Sequence, residues 1–268
     1  MLGIGYRSEM LFTKQNGVIN EKPDYYVVRT PSNPDYYFGN YLLLKTPLSN
    51  GKKTQMERRF HEEIGSFPGI KHKTFCWTPH GDESEDVSGF VDAGYEYMEC
   101  AVLTAGQKDI MSPAKRNGHI RIRGLEDEND WAQLTDCMLA ERKEHYPLDS
   151  YSTFLTKRLN AYRKMIKEKT GIWYGAFLGD ELAGTLGLFF DANFGCFQEV
   201  ITKKRYRNQG ICKTLVHSVC NKGFQRAEIL VLIADENYHA AAIYESLGFK
   251  PTERMASLCW WPKESSNA

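Results

Sequence analysis

The stretch Glu199-Val200-Ile201-Thr202-Lys203-Lys204-Arg205-Tyr206-Arg207-Asn208-Gln209-Gly210-Ile211-Cys212-Lys213-Thr214-Leu215 decides how the chain is read. Glu199 to Thr202 reads as a strand and Lys203 to Tyr206 as a basic turn. Arg207 to Cys212 reads as a loop opening a helix that continues through Lys213, Leu215 and Val219. A strand delivered through a tight loop into a helix start leaves backbone N–H groups without intrahelical acceptors at the positive end of the helix dipole. A phosphate settles there without a dedicated side chain. Gly210 permits close backbone approach. The cations Lys203, Lys204, Arg205 and Arg207 add a salt-screened attraction for polyphosphate.

Working outward, 268 residues hold either one large domain or two ordinary ones, and 42% hydrophobic residues suffice for packed cores. Lys plus Arg and Asp plus Glu balance at 34 each, so no overall field draws the chain to nucleic acid or an anionic membrane. No apolar run approaches a membrane span and the start lacks a leader pattern, so the expectation is a soluble cytoplasmic protein. Seven cysteines are scattered without C-x-x-C pairs, which reads as reduced core thiols. His72 and His80 flank Cys76, but no fourth ligand completes a zinc set, and no metal is expected.

In the first half, Tyr25 to Val28 and Tyr37 to Leu44 read as a strand hairpin around the turn-rich Pro31 to Asp35. Met56, Phe60 and Ile64 give an amphipathic helix stopping near Gly65. Lys73 to Trp77 gives a strand, a short helix runs through Phe90, and Tyr95 to Leu103 alternates as a final strand. Residues 1–23 show little periodicity. Residues 106–118 predict a linker, so the expected domains are 1–112 and 119–262. In the second, His119 to Arg123 opens a sheet. A helix follows with an acidic start and Trp131, Leu134, Cys137 and Met138 on one face, then another carrying Leu155, Leu159, Tyr162 and Ile166. Ile172 to Leu178 and Leu182 to Phe189 form a hairpin, Glu228 to Ile233 a buried strand, and Arg254 to Trp261 a closing strand.

Two motifs in order carry a resemblance. Arg207-x-x-Gly210-x-Cys212 and Asn237-x-x-Ala240-x-x-x-Tyr244-x-x-x-Gly248-Phe249 resemble the signatures of the Gcn5-related N-acetyltransferases, the GNAT superfamily, over roughly residues 119–262. Cys212 departs from the family's Gly or Ala. The implied fold class is α/β with a mixed sheet in two domains, a GNAT fold after a smaller, GNAT-like, non-catalytic αβ domain. That first domain is suggested by Phe90-x-x-x-Gly94-Tyr95, which mirrors Tyr244-x-x-x-Gly248-Phe249.

The resemblance implies acetyl-CoA as cosubstrate and a primary amine, on a small molecule or a peptide, as acceptor. It assigns Tyr244 as general acid toward the coenzyme sulfur and Glu199 as general base. Coenzyme contacts fall to Ile201, Thr202, Arg207, Asn208, Gln209, Gly210, Ile211, Cys212, Lys213 and Asn237. Glu141, Glu144, His145, Tyr146, Trp260 and Trp261 are candidate acceptor residues. The alternative of another class is a non-catalytic acyl-CoA sensor or interaction pseudoenzyme. A Fem-type aminoacyl transferase would not need the coenzyme loop, and no P-loop motif occurs.

Overall fold

The computed structural model describes residues 2–79, 86–143, 146–235 and 240–262. In chain order the first elements are α1 (Ile4–Asn16), β1 (Val18–Glu21), β2 (Tyr25–Arg29), β3 (Tyr41–Leu44), α2 (Lys53–Phe60, continued by a π-helical turn over His61–Gly65), β4 (Lys73–Trp77), α3 (Ser88–Val91) and β5 (Glu96–Gly106). After them come β6 (Arg121–Gly124), α4 (Glu128–Ala140), α5 (Leu148–Lys167), β7 (Gly171–Leu178), β8 (Glu181–Phe190), β9 (Phe194–Thr202), α6 (Ile211–Gly223), β10 (Ile229–Asp235), α7 (Ala240–Glu245) and β11 (Lys250–Trp260). No helix among the described residues is long and apolar enough to cross a membrane.

These elements form two compact units, one of residues up to 100 together with those from 253 onward, the other Ala101–Thr252. The division differs from the expected 1–112 and 119–262. The end of β5, from Ala101, counts with the second unit, and β11 from Glu253 counts with the first.

In the first unit the strand order is β1-β2-β3-β4-β11. Neighbours run antiparallel except β3 and β4, which are parallel through Leu42 opposite Phe75 and Leu43 opposite Cys76. All four residues of β3 are buried because both faces are covered. Leu42 and Leu44 join Phe60, Phe75 and Leu258 on one side, and Tyr41 and Leu43 join Tyr6 and Met10 on the other. Helix α1 lies in the segment whose structure the sequence left open. Its buried residues include Gly5, Ser8 and Thr13, so polarity does not trace its period. Its start is fixed by the Glu253 carboxylate, which accepts from the N–H groups of Ile4 at 2.9 Å and Gly5 at 3.0 Å.

In the second unit the order is β5-β10-β9-β8-β7-β6. The strands β6 to β9 are joined antiparallel, and β9 and β10 run parallel with α6 as the crossover. Leu186, Leu188, Leu215, Val219, Leu230 and Leu232 fill the core between sheet and α6. Asp127 caps α4 by accepting from the Asp130 N–H at 2.9 Å, and Asp130, 2% exposed, holds the Arg123 guanidinium.

The two short helices α3 and α7 end alike. Gly94 N–H donates to Val91 O at 2.9 Å and Tyr95 N–H to Phe90 O at 3.0 Å. Gly248 N–H donates to Glu245 O at 2.9 Å and Phe249 N–H to Tyr244 O at 3.2 Å. Both glycines are left-handed, at φ +88° and +97°, as a Schellman termination requires.

Candidate active site

The second unit builds its site on β9. Its pairing with β10 covers only Phe194 to Cys196 against Ile229 to Val231. No further β9–β10 register pair occurs among the described residues, so the strands part beyond that level. On the other side, the β8 register steps from Gly187 opposite Gln198 to Thr185 opposite Ile201. One β8 residue thus faces two of β9, Glu199 and Val200, which is a β-bulge. Glu199 sits there at φ +48°, a left-handed conformation uncommon for a residue with a Cβ.

Past the bulge, Lys203 N–H donates to Ala183 O at 3.0 Å, which makes Thr185 and Ile201 a hydrogen-bonded pair and turns the backbone groups of Thr202 away from β8. The two residues expected to contact the coenzyme here thus differ in the direction of their backbone groups. Ile201 is engaged by β8, and Thr202 faces the open side, where its carbonyl accepts from Arg207 Nε at 3.1 Å.

The loop from β9 to α6 has Asn208 at φ +62° and Gly210 at φ +77°, and α6 begins at Ile211. The first N–H groups of α6, on Ile211, Cys212 and Lys213, lack intrahelical acceptors by helix geometry. Thr214 closes the turn, its hydroxyl donating to Gly210 O at 2.8 Å. Asn117, missed by the sequence reading, buttresses the loop. Its amide donates to Gln209 O at 3.0 Å and its N–H to the Thr214 hydroxyl at 2.9 Å. The Cys212 thiol is pushed up to about 11 by burial, so it stays protonated at neutral pH.

The basic turn is less available than its composition suggests. Lys203 and Arg205 both pair with Glu181, and Arg207 donates from Nη2 to both Glu141 oxygens at 2.8 Å. Among the described residues, Lys204 alone of the four makes no ion pair. Such part-exposed pairs contribute only ~0–1 kcal/mol, so a polyphosphate can displace them.

Glu199 meets α5. Its carboxylate is 3.6 Å from Arg158, whose guanidinium also donates to Gln198 Oε1 at 3.4 Å, where the Tyr162 hydroxyl donates at 3.2 Å. Burial and the charge of Glu199 raise the Tyr151 phenol above its ordinary value. Tyr151 lies 6.2 Å from Tyr146 and 5.6 Å from Phe154, ring centre to ring centre. Tyr151, Phe154 and Arg158 stand at helical spacing on α5, a signal present in the sequence and not used.

Tyr244 lies on α7, which packs on β10, and its ring is 5% exposed and 6.4 Å from Phe249. Glu199 thus lies on one of the two strands that part, and Tyr244 on the helix that follows the other. Asn237, Glu144, His145 and His80 lie outside the described residues. Trp260 and Trp261, expected near the acceptor, belong to the first unit, where Lys73 sits 5.0 Å above the Trp260 ring and Tyr37 stacks on Trp261 at 5.9 Å. Glu141 is taken up by Arg207.

With this geometry in hand, residues 128–249 match the model of the acetyltransferase (GNAT) family. No curated protein matches the chain in sequence. Among solved structures, it is similar to a functionally unknown conserved protein from Staphylococcus epidermidis, with TM-score 0.73, 15% identity, and 91% of this chain and 94% of that one covered. It is similar to a GCN5-related N-acetyltransferase from Kribbella flavida, with TM-score 0.64, 12% identity, and 97% and 96% covered. A tandem GNAT protein from the clavulanic acid biosynthesis pathway matches at TM-score 0.55 and 9% identity, with 82% and 75% covered. At such identities these likenesses speak for the fold, which is a two-domain GNAT arrangement. Residues 128–249 thus carry a GNAT-family acetyltransferase domain.

Proposed function

We propose that the second unit is an acyltransferase that moves the acetyl group of acetyl-CoA onto a primary amine by direct attack in a ternary complex. The observation that carries this reading is the parting of β9 from β10 at the level of the Glu199 bulge. An extended arm with amide groups can enter such a gap as a strand does, pairing with the outward backbone groups of Thr202. Its pyrophosphate then meets the loop Arg207-Asn208-Gln209-Gly210 and the first N–H groups of α6 at Ile211, Cys212 and Lys213. Asn237 remains a proposed contact from the family motif.

The amine nitrogen attacks the thioester carbon, forming the C–N bond as the carbonyl oxygen takes the negative charge. A backbone N–H released at the bulge is suited to hold that oxyanion. The nitrogen gives up a proton to Glu199 through water, and collapse breaks the C–S bond. The departing thiolate takes a proton from the Tyr244 phenol, whose ordinary pKa of about 10 is close to that of the thiol formed. The first unit supports this one and performs no transfer.

A coenzyme-release assay across polyamines, aminoglycosides, amino acids and peptide N-termini tests the reading. Tyr244→Phe is expected to lower turnover by about 10²-fold with acetyl-CoA affinity nearly unchanged, since the hydroxyl acts as charge develops on sulfur. Wild-type turnover in that variant removes Tyr244 from the acid role. The pairing of Glu199 with Arg158 favours a second reading, an acyl-CoA sensor. Tight acetyl-CoA binding with no release on any amine would select it.

A further inference from the structure

The acceptor side of the cleft has a composition of its own. The second unit links Tyr146, Tyr151 and Phe154 ring to ring at 6.2 and 5.6 Å, with Tyr146 and Tyr151 nearly parallel at 22°. Tyr151 and Phe154 lie on α5, the helix whose Arg158 is 3.6 Å from the Glu199 carboxylate. All three are part-exposed, and Leu148, on the same turn of chain, is 53% exposed. The position of this wall is held from both ends. The Arg142 guanidinium donates to Tyr146 O, and Tyr151 N–H donates to Pro147 O at 3.0 Å. Glu199 borders the wall with its side chain 36% exposed, and the Tyr151 phenol is poorly hydrated and feels the Glu199 charge.

Charge argues against a polycation here. A polyamine or an aminoglycoside needs several carboxylates in reach of its several ammonium groups. Among the described residues of this wall, Glu199 is the carboxylate beside the rings, and it already shares Arg158. Glu141, the acid of the loop between α4 and α5 that lies among the described residues, is bound bidentately by Arg207, and Asp149 on the first turn of α5 is exposed to solvent. One carboxylate among the described residues, beside a set of part-exposed aromatic rings, matches one ammonium on a flat apolar body.

We infer that the acceptor is a primary amine carried on an aromatic or similarly flat apolar group, with the amine at Glu199 and the ring against Tyr151, Tyr146 and Phe154. This rests on the transferase reading above and names the substrate class of the same site. Tyr151 is then a specificity-determining residue, because removing its ring takes away contact area made equally in the ground and transition states.

The test uses the full chain with acetyl-CoA and compares phenethylamine, spermidine and kanamycin by kcat/KM, and measures phenethylamine binding to the coenzyme A-loaded protein by calorimetry. Phenethylamine is expected to lead by about tenfold or more, which corresponds to ~1.4 kcal/mol of ring burial. Tyr151→Ala should raise its KM by about tenfold with kcat changed less than twofold, Tyr151→Phe should restore it, and Phe154→Leu serves where Tyr151→Ala does not fold. Preference for spermidine or kanamycin, or a KM indifferent to both ring variants, overturns the inference and leaves the transferase reading standing. Phenethylamine binding that Tyr151→Ala abolishes, with no transfer to any amine, overturns the transferase reading and supports the aromatic amine site. Neither binding nor transfer overturns both.

Discussion

The helix terminations at Gly94 and Gly248 are the same motif in two settings. In each, an aromatic residue opens the span, a left-handed glycine closes it and an aromatic follows. Phe90 meets Tyr95 at 5.3 Å, and Tyr244 meets Phe249 at 6.4 Å. The frame around them is also shared. In the first unit an antiparallel pair, β2 and β3, leads through α2 to the parallel strand β4. In the second, β8 and β9 lead through α6 to β10. The difference lies at the strand end. β3 is four residues long and wholly buried, followed by Gly51 in a 3₁₀ turn. β9 is nine residues long, bulged at Glu199, and followed by Gly210 at positive φ. The frame survives in the first unit without a bulge or a left-handed loop after β3, so those two features are separable from the fold, and on the proposed reading they serve the chemistry.

The largest expected effect breaks the resemblance of the two glycines. An added Cβ at Gly248 would lie 2.7 Å from the Asp109 carbonyl carbon and closer still to its oxygen, at φ +97°. At Gly94 the nearest atoms are those of Trp260 at 3.8 Å. Gly248→Ala should therefore cost roughly 4 kcal/mol in urea unfolding, from conformation and overpacking together, and Gly94→Ala roughly 1–2 from conformation alone. Equal losses would mean that the surroundings of the motif do not matter.

An intermediate effect separates the units by acid. His72 in the first unit is 2% exposed, and burial pushes its imidazole down to about 4 from 6.5. The unfolded chain then binds a proton that the folded one refuses between those values. Stability should fall as pH drops from 6.5 toward 4, by about 3 kcal/mol at the lower end, and level off below. His72→Gln, neutral throughout, should unfold in urea with that slope removed. A slope unchanged in a folded His72→Gln protein would assign the acid sensitivity elsewhere.

The smallest effect sharpens the contrast between the two helix starts. Gly210→Ala meets Lys115 O at 3.0 Å and a left-handed φ, so a loss of roughly 1–2 kcal/mol and weaker acetyl-CoA binding are expected. Gly51→Ala meets nothing within 4 Å and should change stability by less than about 0.5 kcal/mol. If calorimetry finds acetyl-CoA affinity untouched by Gly210→Ala, the loop is not where the phosphates sit.

Much of this was legible in the residues, for identifiable reasons. The order from β6 to β11 follows hydrophobic period and turn chemistry, both local properties. The mirrored terminations at Gly94 and Gly248 were visible because a Schellman end requires a residue tolerant of positive φ. Helix α1 was not, because small polar residues occupy its buried face and a carboxylate distant in sequence, Glu253, satisfies its first N–H groups. The bulge at Glu199 is a register property of two strands, and no single strand carries it. The pairing of Lys203 and Arg205 with Glu181, and of Arg207 with Glu141, joins residues far apart along the chain, so composition overstated the charge open to a phosphate.

The membership of β11 in the first unit bears on how the protein is made. β4 pairs with Ala256 to Trp260, the Tyr6 hydroxyl donates to Ala256 O at 2.9 Å, and Glu253 caps α1. On the ribosome the first hundred residues emerge early, yet the strand that covers the β4 edge is translated some 180 residues after β4, at tens of seconds' delay for ordinary elongation rates of about 5–20 residues per second. Until then β4 presents unpaired backbone, a template for pairing with other nascent chains. Late completion of the first unit makes chaperone occupancy during synthesis, and nicking or premature termination beyond Thr252, the expected points of failure in producing this protein.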